Sequence, residues 1–498
     1  MAVVHLLRKT NGMVGILLLF GAAAFAQIDP QTAVMPLTTK SPKVLQLVDQ
    51  AWKLNLDEVE TEKAVEVLQK AVAIDPDFAF GHQLLASISL DPREQVSEQQ
   101  LAYKLRDHAS PSERLAIEWW QDSSDHQLIS AITKMNDLLS QYPRDRWVVF
   151  LSTWWLQANT QYARSIAVYE KSGLDSPGLI NNTAYCYAYM RQFDKAFAWM
   201  DKYVAALPND PNPQDSYAEI LRMAGHFSSA VDHYRKALAI NPKFYSSEFG
   251  IADTYSLMGD QAKAREEYKV AFQEFPSLPE LHLVQWKTRE AITYVRESDI
   301  PGADKAFQAI ADYAHSNNMH QVEADIYRQM AMYQMDPKRT TAYLDQADAA
   351  VDEATNAMPL FLQQEQAQIL RARVELAIRT GNKDMARTNL AKLADLSDKA
   401  NDQVIETAYH GAAGAQLFTQ KKYDQAISHL EEDPSNALSL KLLAAAYQKI
   451  GYSAGMKRTD DTLANLNDPS LEQALVVPAF RKCYEDPTCA GRTAAALR

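Results

Sequence analysis

Glycine, cysteine and clustered positive charge are all scarce in this chain. Only 16 glycines in 498 residues leave little room for the loops that cradle phosphates. No stretch concentrates lysine and arginine, and the formal net charge is -13. So acidic a chain is a poor partner for nucleic acid or anionic lipid. Runs of alternating β-branched residues are missing, which argues against a sheet domain. Beyond residue 26 no stretch is long and apolar enough to span a bilayer. Of the three cysteines, Cys186 lies in the helical run AYCYAYM and reads as a small core residue.

The N-terminus carries the one strongly apolar run. Arg8 and Lys9 precede Val14 to Ala26, which ends in the small-residue frame Ala24-Phe25-Ala26. That order predicts a secretory signal peptide over residues 1–26, cleaved between Ala26 and Gln27, with a retained anchor as the alternative. Its removal takes two cations and no acid, so the mature charge is about -15. The expectation is an exported bacterial protein, periplasmic or secreted, with no membrane span after the leader. Residues 27–42, with Pro30, Pro36 and Pro42, read as an extended linker. In an oxidising compartment Cys483 and Cys489 are placed to close a small disulfide loop around Asp486-Pro487-Thr488. Zinc is disfavoured there, because no histidine follows His429.

The chain's main signal is an internal period. Ala196, Ala230 and Ala264 stand 34 residues apart, and each is followed twelve residues later by Pro208, Pro242 or Pro276. Met200, Tyr234 and Tyr268 fill the slot four residues after each alanine. Upstream, Ala184, Ala218 and Ala252 repeat, as do Gly225 and Gly259. The same step joins Ala64 to Pro76 and Ala131 to Pro143, with Ser165 to Pro177 a serine variant. Apolar residues recur at three- and four-residue steps on both sides of the glycines, so each unit holds two amphipathic helices. The small residues let helices approach, the tyrosine covers their seam, and the glycines suit a left-handed turn. Prolines end each second helix. Neither helix can bury its apolar stripe alone, so the units must stack. After Pro276 the pattern loosens, persisting at Gly381, Ala386, Leu390 and Leu393, at Ala426 and Leu430, and at Ala444, Tyr447 and Gly451. The reading is a repeat array over 43–278, strongest over 112–278, a more divergent one over 279–470, with longer helices over 279–365, and a tail over 471–498. Roughly ten to twelve hairpins fill the mature chain at this period.

These features resemble the tetratricopeptide repeat family. The resemblance implies an all-α, right-handed superhelical solenoid of stacked antiparallel helix pairs, whose first helices line a concave groove for peptides or partner helices. Carried onto this chain, that geometry puts Asn181, Tyr185, Tyr189, Asp215, Glu219, Arg222, Phe249 and Asp253 in the groove. Family members that clamp a terminal carboxylate use lysine, asparagine and arginine, where this chain mostly offers tyrosine, glutamate and aspartate. An acidic, tyrosine-bearing trough favours basic or mixed amphipathic segments. The alternative is that these are exposed polar residues without a role.

Candidate chemistry is sparse. Gly451-Tyr452-Ser453-Ala454-Gly455 matches the nucleophile elbow G-x-S-x-G, but that motif needs a strand before it and a histidine after it. Here it follows a helical run, and Gly451 falls where the repeat needs its turn. His315, His320 and Glu323 suggest a metal, yet a five-residue step does not put two imidazoles on one helical face, and Ser316-Asn317-Asn318 reads as a loop. No metal, cofactor or catalytic residue is therefore expected. Trp119, Trp120, Trp147, Trp154 and Trp155 either pack between repeats or form an aromatic binding surface. The favoured function is an exported scaffold for protein or peptide partners. The alternatives are an envelope protein binding glycan or itself, and an enzyme with a site among the irregular repeats.

Overall fold

The computed structural model describes residues 34–58, 60–125, 127–355, 357–400 and 402–485. The expected leader and Cys489 lie outside these residues. Among those described there is no strand, and twelve consecutive helix pairs precede a final helix. The first six pairs are α1 (Pro42–Trp52) with α2 (Thr61–Ile74), α3 (Ala79–Ile88) with α4 (Pro92–Leu105), α5 (Pro111–Ser124) with α6 (Leu128–Gln141), α7 (Arg146–Ala158) with α8 (Tyr162–Ser172), α9 (Pro177–Tyr189) with α10 (Phe193–Ala206), and α11 (Pro211–Met223) with α12 (Phe227–Ile240). The next six are α13 (Tyr245–Met258) with α14 (Gln261–Glu274), α15 (Glu280–Arg296) with α16 (Ile300–Ser316), α17 (His320–Tyr333) with α18 (Pro337–Glu353), α19 (Pro359–Thr380) with α20 (Lys383–Ala400), α21 (Gln403–Thr419) with α22 (Tyr423–Leu430), and α23 (Ala437–Ile450) with α24 (Ser453–Ala464). The final helix, α25, is Leu471–Glu485.

Repeat positions do the packing that their side chains dictate. Ala184, Ala196, Ala218, Ala230, Ala252 and Ala264 are all fully buried where two helices meet. Tyr234 lies over the bare backbone of Gly250 in the next pair, where an added Cβ would sit 2.5 Å from its ring. The turn inside eight of the pairs uses one left-handed residue. Gly225, Gly259, Gly381 and Gly451 supply it without strain, while Thr160, Arg191, Ser298 and Lys421 adopt it at a cost. Pro208, Pro242 and Pro276 fall two residues past the ends of α10, α12 and α14. Pro177 departs from that role, since it opens α9 as its first residue, after α8 has ended at the left-handed Gly173.

Neighbouring first helices touch one another (α7 with α9, α9 with α11, α11 with α13, and α17, α19, α21 and α23 in series), whereas second helices meet mainly their flanking first helices. The first helices therefore form the inner layer of a tetratricopeptide-like superhelical solenoid. The coil is tight enough for its edges to meet: Tyr245 Oη donates to Glu62 Oε1 at 3.3 Å, and Arg93 pairs with Glu280 at 3.5 Å. Each contact joins helix pairs six apart.

The first pair fills the inner side of the N-terminal turn. Trp52 packs edge-on against Trp147 at 4.8 Å and Phe150 at 5.9 Å. Residues 34–41 are extended but fastened, with the Met35 amide donating to Asp145 (2.9 Å) and the Thr38 amide to Glu113 (2.8 Å). The tryptophan-rich region is mostly packing. Trp119 is buried against Trp120 and Trp155, and of the five Trp154 alone is exposed.

Candidate functional site

The eight residues placed in the groove by resemblance separate into two groups. Tyr185 donates to Glu219 at 2.6 Å, Tyr189 is exposed and rests against Tyr162 and Tyr185, and Asp215 accepts from Ser247 at 2.6 Å. These three, with half-buried Glu219, face the inner side. Asn181 is half-buried nearby on α9. Phe249 does not face it, because α13 turns it into the layer between pairs, whereas Asp253 lies at the floor of the inner side beside Asp215 and Glu219. Phe249 is fully buried and stacks on Trp286 at 4.8 Å, and buried Asp253 accepts from Tyr268 and from Arg289 (3.0 Å). Arg222 is buried beneath them, 3.0 Å from Glu219 and 3.8 Å from Asp253, held protonated by the surrounding carboxylates. Burial, reinforced by Glu219, lifts the Asp215 carboxyl to about 7.

The inner face is thus not simply acidic. Arg289 on α15 and Arg328 on α17 alternate with Asp253, Asp325 and Glu365, and Arg328 donates to Glu365 at 2.9 Å. Composition of α9 to α13 could not reveal these arginines, because they come from α15 and α17, beyond Pro276 where the 34-residue stride is lost. Together the residues enclose contiguous chambers of about 540 Å³ beside Arg289 and Arg328 and about 230 Å³ beside Arg222 and Arg289.

A polypeptide segment already lies on this face, and it belongs to the same chain. Residues 471–485, read from sequence as a tail, form α25. The turn before it crosses the inner side: Asn467 Nδ2 donates to the Met223 carbonyl at 3.1 Å, and Arg191 donates to the Asn465 carbonyl at 3.2 Å. Asp468, Pro469, Ser470, Leu471 and Glu472 make one wall of the larger chamber, opposite α15 and α17. Leu471 and Ala474 join the buried cluster of Val284, Ile292, Ile326 and Ile369. Asp468 favours the charge on Arg222, while Arg328 and Arg371 partly offset the burial that raises the Glu472 carboxyl. Arg481 shapes the turn, donating to the carbonyls of Ala464 (2.7 Å) and Leu466 (3.2 Å). Behind it, Val476, Val477 and Phe480 cover Leu440 and Leu463 and seal the end of the array.

Two further sequence candidates take definite positions. Gly451 is the left-handed cap of α23 and Ser453 opens α24, so G-x-S-x-G is a helix–turn–helix corner, not a nucleophile elbow. His315 and His320 do come together around Glu323, contrary to the expectation from their spacing. The five-residue step spans two helices, not one: His315 lies in the last turn of α16, His320 opens α17, and the turn between them folds both rings onto one carboxylate. Among the described residues no helix is long and apolar enough to cross a membrane.

No family model matches the chain, and no curated protein matches it. Solved structures with some likeness include yeast Tom70, at 14% identity and a TM-score of 0.36 over 90% of this chain and 98% of that one. The Cut9–Hcn1 hetero-tetramer of APC/C gives 15% identity and a TM-score of 0.37 over 81% and 76%. A tetratricopeptide repeat protein from Parabacteroides merdae gives 13% and 0.31 over 60% and 97%. Both measures are low throughout, and the fold is established by the chain's own twelve helix pairs.

Proposed function

We propose that this chain is an exported scaffold that binds acidic amphipathic segments of partner proteins on its first-helix face, in competition with its own residues 465–474. The supporting observation is the seat that this segment occupies. Its acids, Asp468 and Glu472, lie toward Arg222, Arg289 and Arg328, and its apolar residues, Leu471 and Ala474, enter the cluster beside them. A guest that copies this spacing of acid and apolar side chains would meet complementary charge and a ready apolar surface. That replaces the basic partner which the acids of α9 to α13 alone favour. The apolar run after Lys9 supports export.

The test uses the full chain and a labelled peptide of residues 465–485 with serine at position 483. Leu471→Asp introduces a charge into the buried cluster and should free the resident segment. The variant is expected to bind the peptide about tenfold more tightly than the unsubstituted chain, and a scrambled peptide not at all. Equal binding of the true and scrambled peptides overturns the proposal, as does failure of the folded variant to bind either. Circular dichroism establishes that the variant is folded.

A further inference from the structure

We infer that His315, His320 and Glu323, with Glu353 beside them, form a binding site for a divalent transition metal of the zinc type. The Nδ1 atom of His315 lies 3.2 and 3.1 Å from the two Glu323 carboxylate oxygens, and Nδ1 of His320 lies 3.0 Å from one of them. One ligand atom from each residue can be chosen so that all three lie within 4.8 Å of one another. Four ligands about 2.0 Å from a tetrahedral cation are separated by about 3.3 Å, so the group needs only small shifts to enclose one. The rings are inclined at 75° with centroids 5.5 Å apart, so they converge on the carboxylate instead of stacking. Glu353, the last residue of α18, brings an oxygen to 3.7 Å from His320 Nδ1 and is placed to be the fourth ligand.

Burial grades the site as a metal pocket requires. Glu323 is buried, the His320 side chain is mostly so, and His315 and Glu353 remain open to solvent on the entry side. Two imidazole nitrogens and carboxylate oxygens suit zinc, cobalt or nickel, whereas calcium and magnesium prefer oxygen alone. The left-handed Asn318 makes the turn that brings the rings together. A bound cation would tie the ends of α16, α17 and α18 at one corner of the irregular repeats. It would act there as a brace, not as a catalyst. The plain alternative is a pair of imidazole–carboxylate hydrogen bonds with no affinity for metal.

Calorimetric titration of the chelator-treated full chain with zinc chloride separates the two. One zinc per chain is expected, with a raised melting temperature, and Co2+ should give the intense visible absorption of a tetrahedral complex. Calcium and magnesium should produce no such response. His315→Ala, at an open position, and Glu323→Gln should each weaken zinc by about tenfold or more, and Glu353→Gln by less. His429→Ala, at a second histidine pair where His410 and His429 meet at 3.0 Å, should leave it unchanged. Absence of zinc binding overturns the inference. So does zinc binding that survives His315→Ala and Glu323→Gln, or that is lost equally in His429→Ala.

Discussion

At the scale of single residues, the inner face is governed by what burial does to carboxylates. Asp215 is raised from its ordinary 3.8 to about 7, first by burial and then by Glu219, against the pull of its Ser247 hydrogen bond and Arg222. Between those pH values the folded chain holds a proton that the unfolded chain has released. Stability conferred by this group therefore falls as pH rises from about 4 to about 7, by up to about 1.4 kcal/mol per unit. Asn at this position keeps an oxygen that can accept from Ser247 and carries no proton to lose. Asp215→Asn should therefore gain stability relative to the unsubstituted chain across that range, with no further divergence above it. Urea unfolding at pH 5, 6, 7 and 8 measures this directly, and parallel curves for the two proteins would contradict it. None of this was legible from composition, where Asp215 counts only as one acid among 63 aspartates and glutamates.

At the scale of helices, the seam between the members of a pair explains both what the sequence revealed and what it concealed. Ala230 is fully buried, and Tyr234 on the same face of α12 reaches over Gly250 of α13. Ala230→Leu would force three added carbons into this contact and should cost roughly 1–3 kcal/mol, seen as a lower urea midpoint with an unchanged slope. The alanine, tyrosine and proline slots were readable because small, aromatic and helix-ending residues each solve a local problem that recurs every pair. Reading failed where a contact joins distant pairs. Arg371 on α19 reaches Asp433 at 2.9 Å and Ser439 at 3.0 Å, across the bare backbone of Gly411. Those three partners carry no common spacing. Phe249 was misplaced for a related reason. Resemblance fixes which helix is inner, but the rotation of α13 about its axis is set by Trp286 and Arg289 from the next pair.

At the scale of the whole molecule, an array of pairs that touch only their neighbours would transmit little from one end to the other. This chain breaks that independence, because α25 packs on α23 and α24 and also on α15, four pairs earlier. Residues 465–474 consequently couple the C-terminal end to α9, α11, α15 and α17, while the first pair and the tryptophan cluster share one buried core that runs on into α9 and α11. Freeing the segment should loosen only the helices that it covers. Under hydrogen exchange, Leu471→Asp is expected to speed exchange across α15, α17 and the C-terminal ends of α9 and α11, and to leave α5 and α7 as protected as before. The effect should reach α19, whose Ile369 lies in the same cluster, and fade from α21 onward where the seal made by Val476, Val477 and Phe480 holds. Uniform acceleration along the chain would mean that α25 stabilises the solenoid as one cooperative body. Acceleration limited to α23 and α24 would mean that it is an end cap with no hold on the inner face.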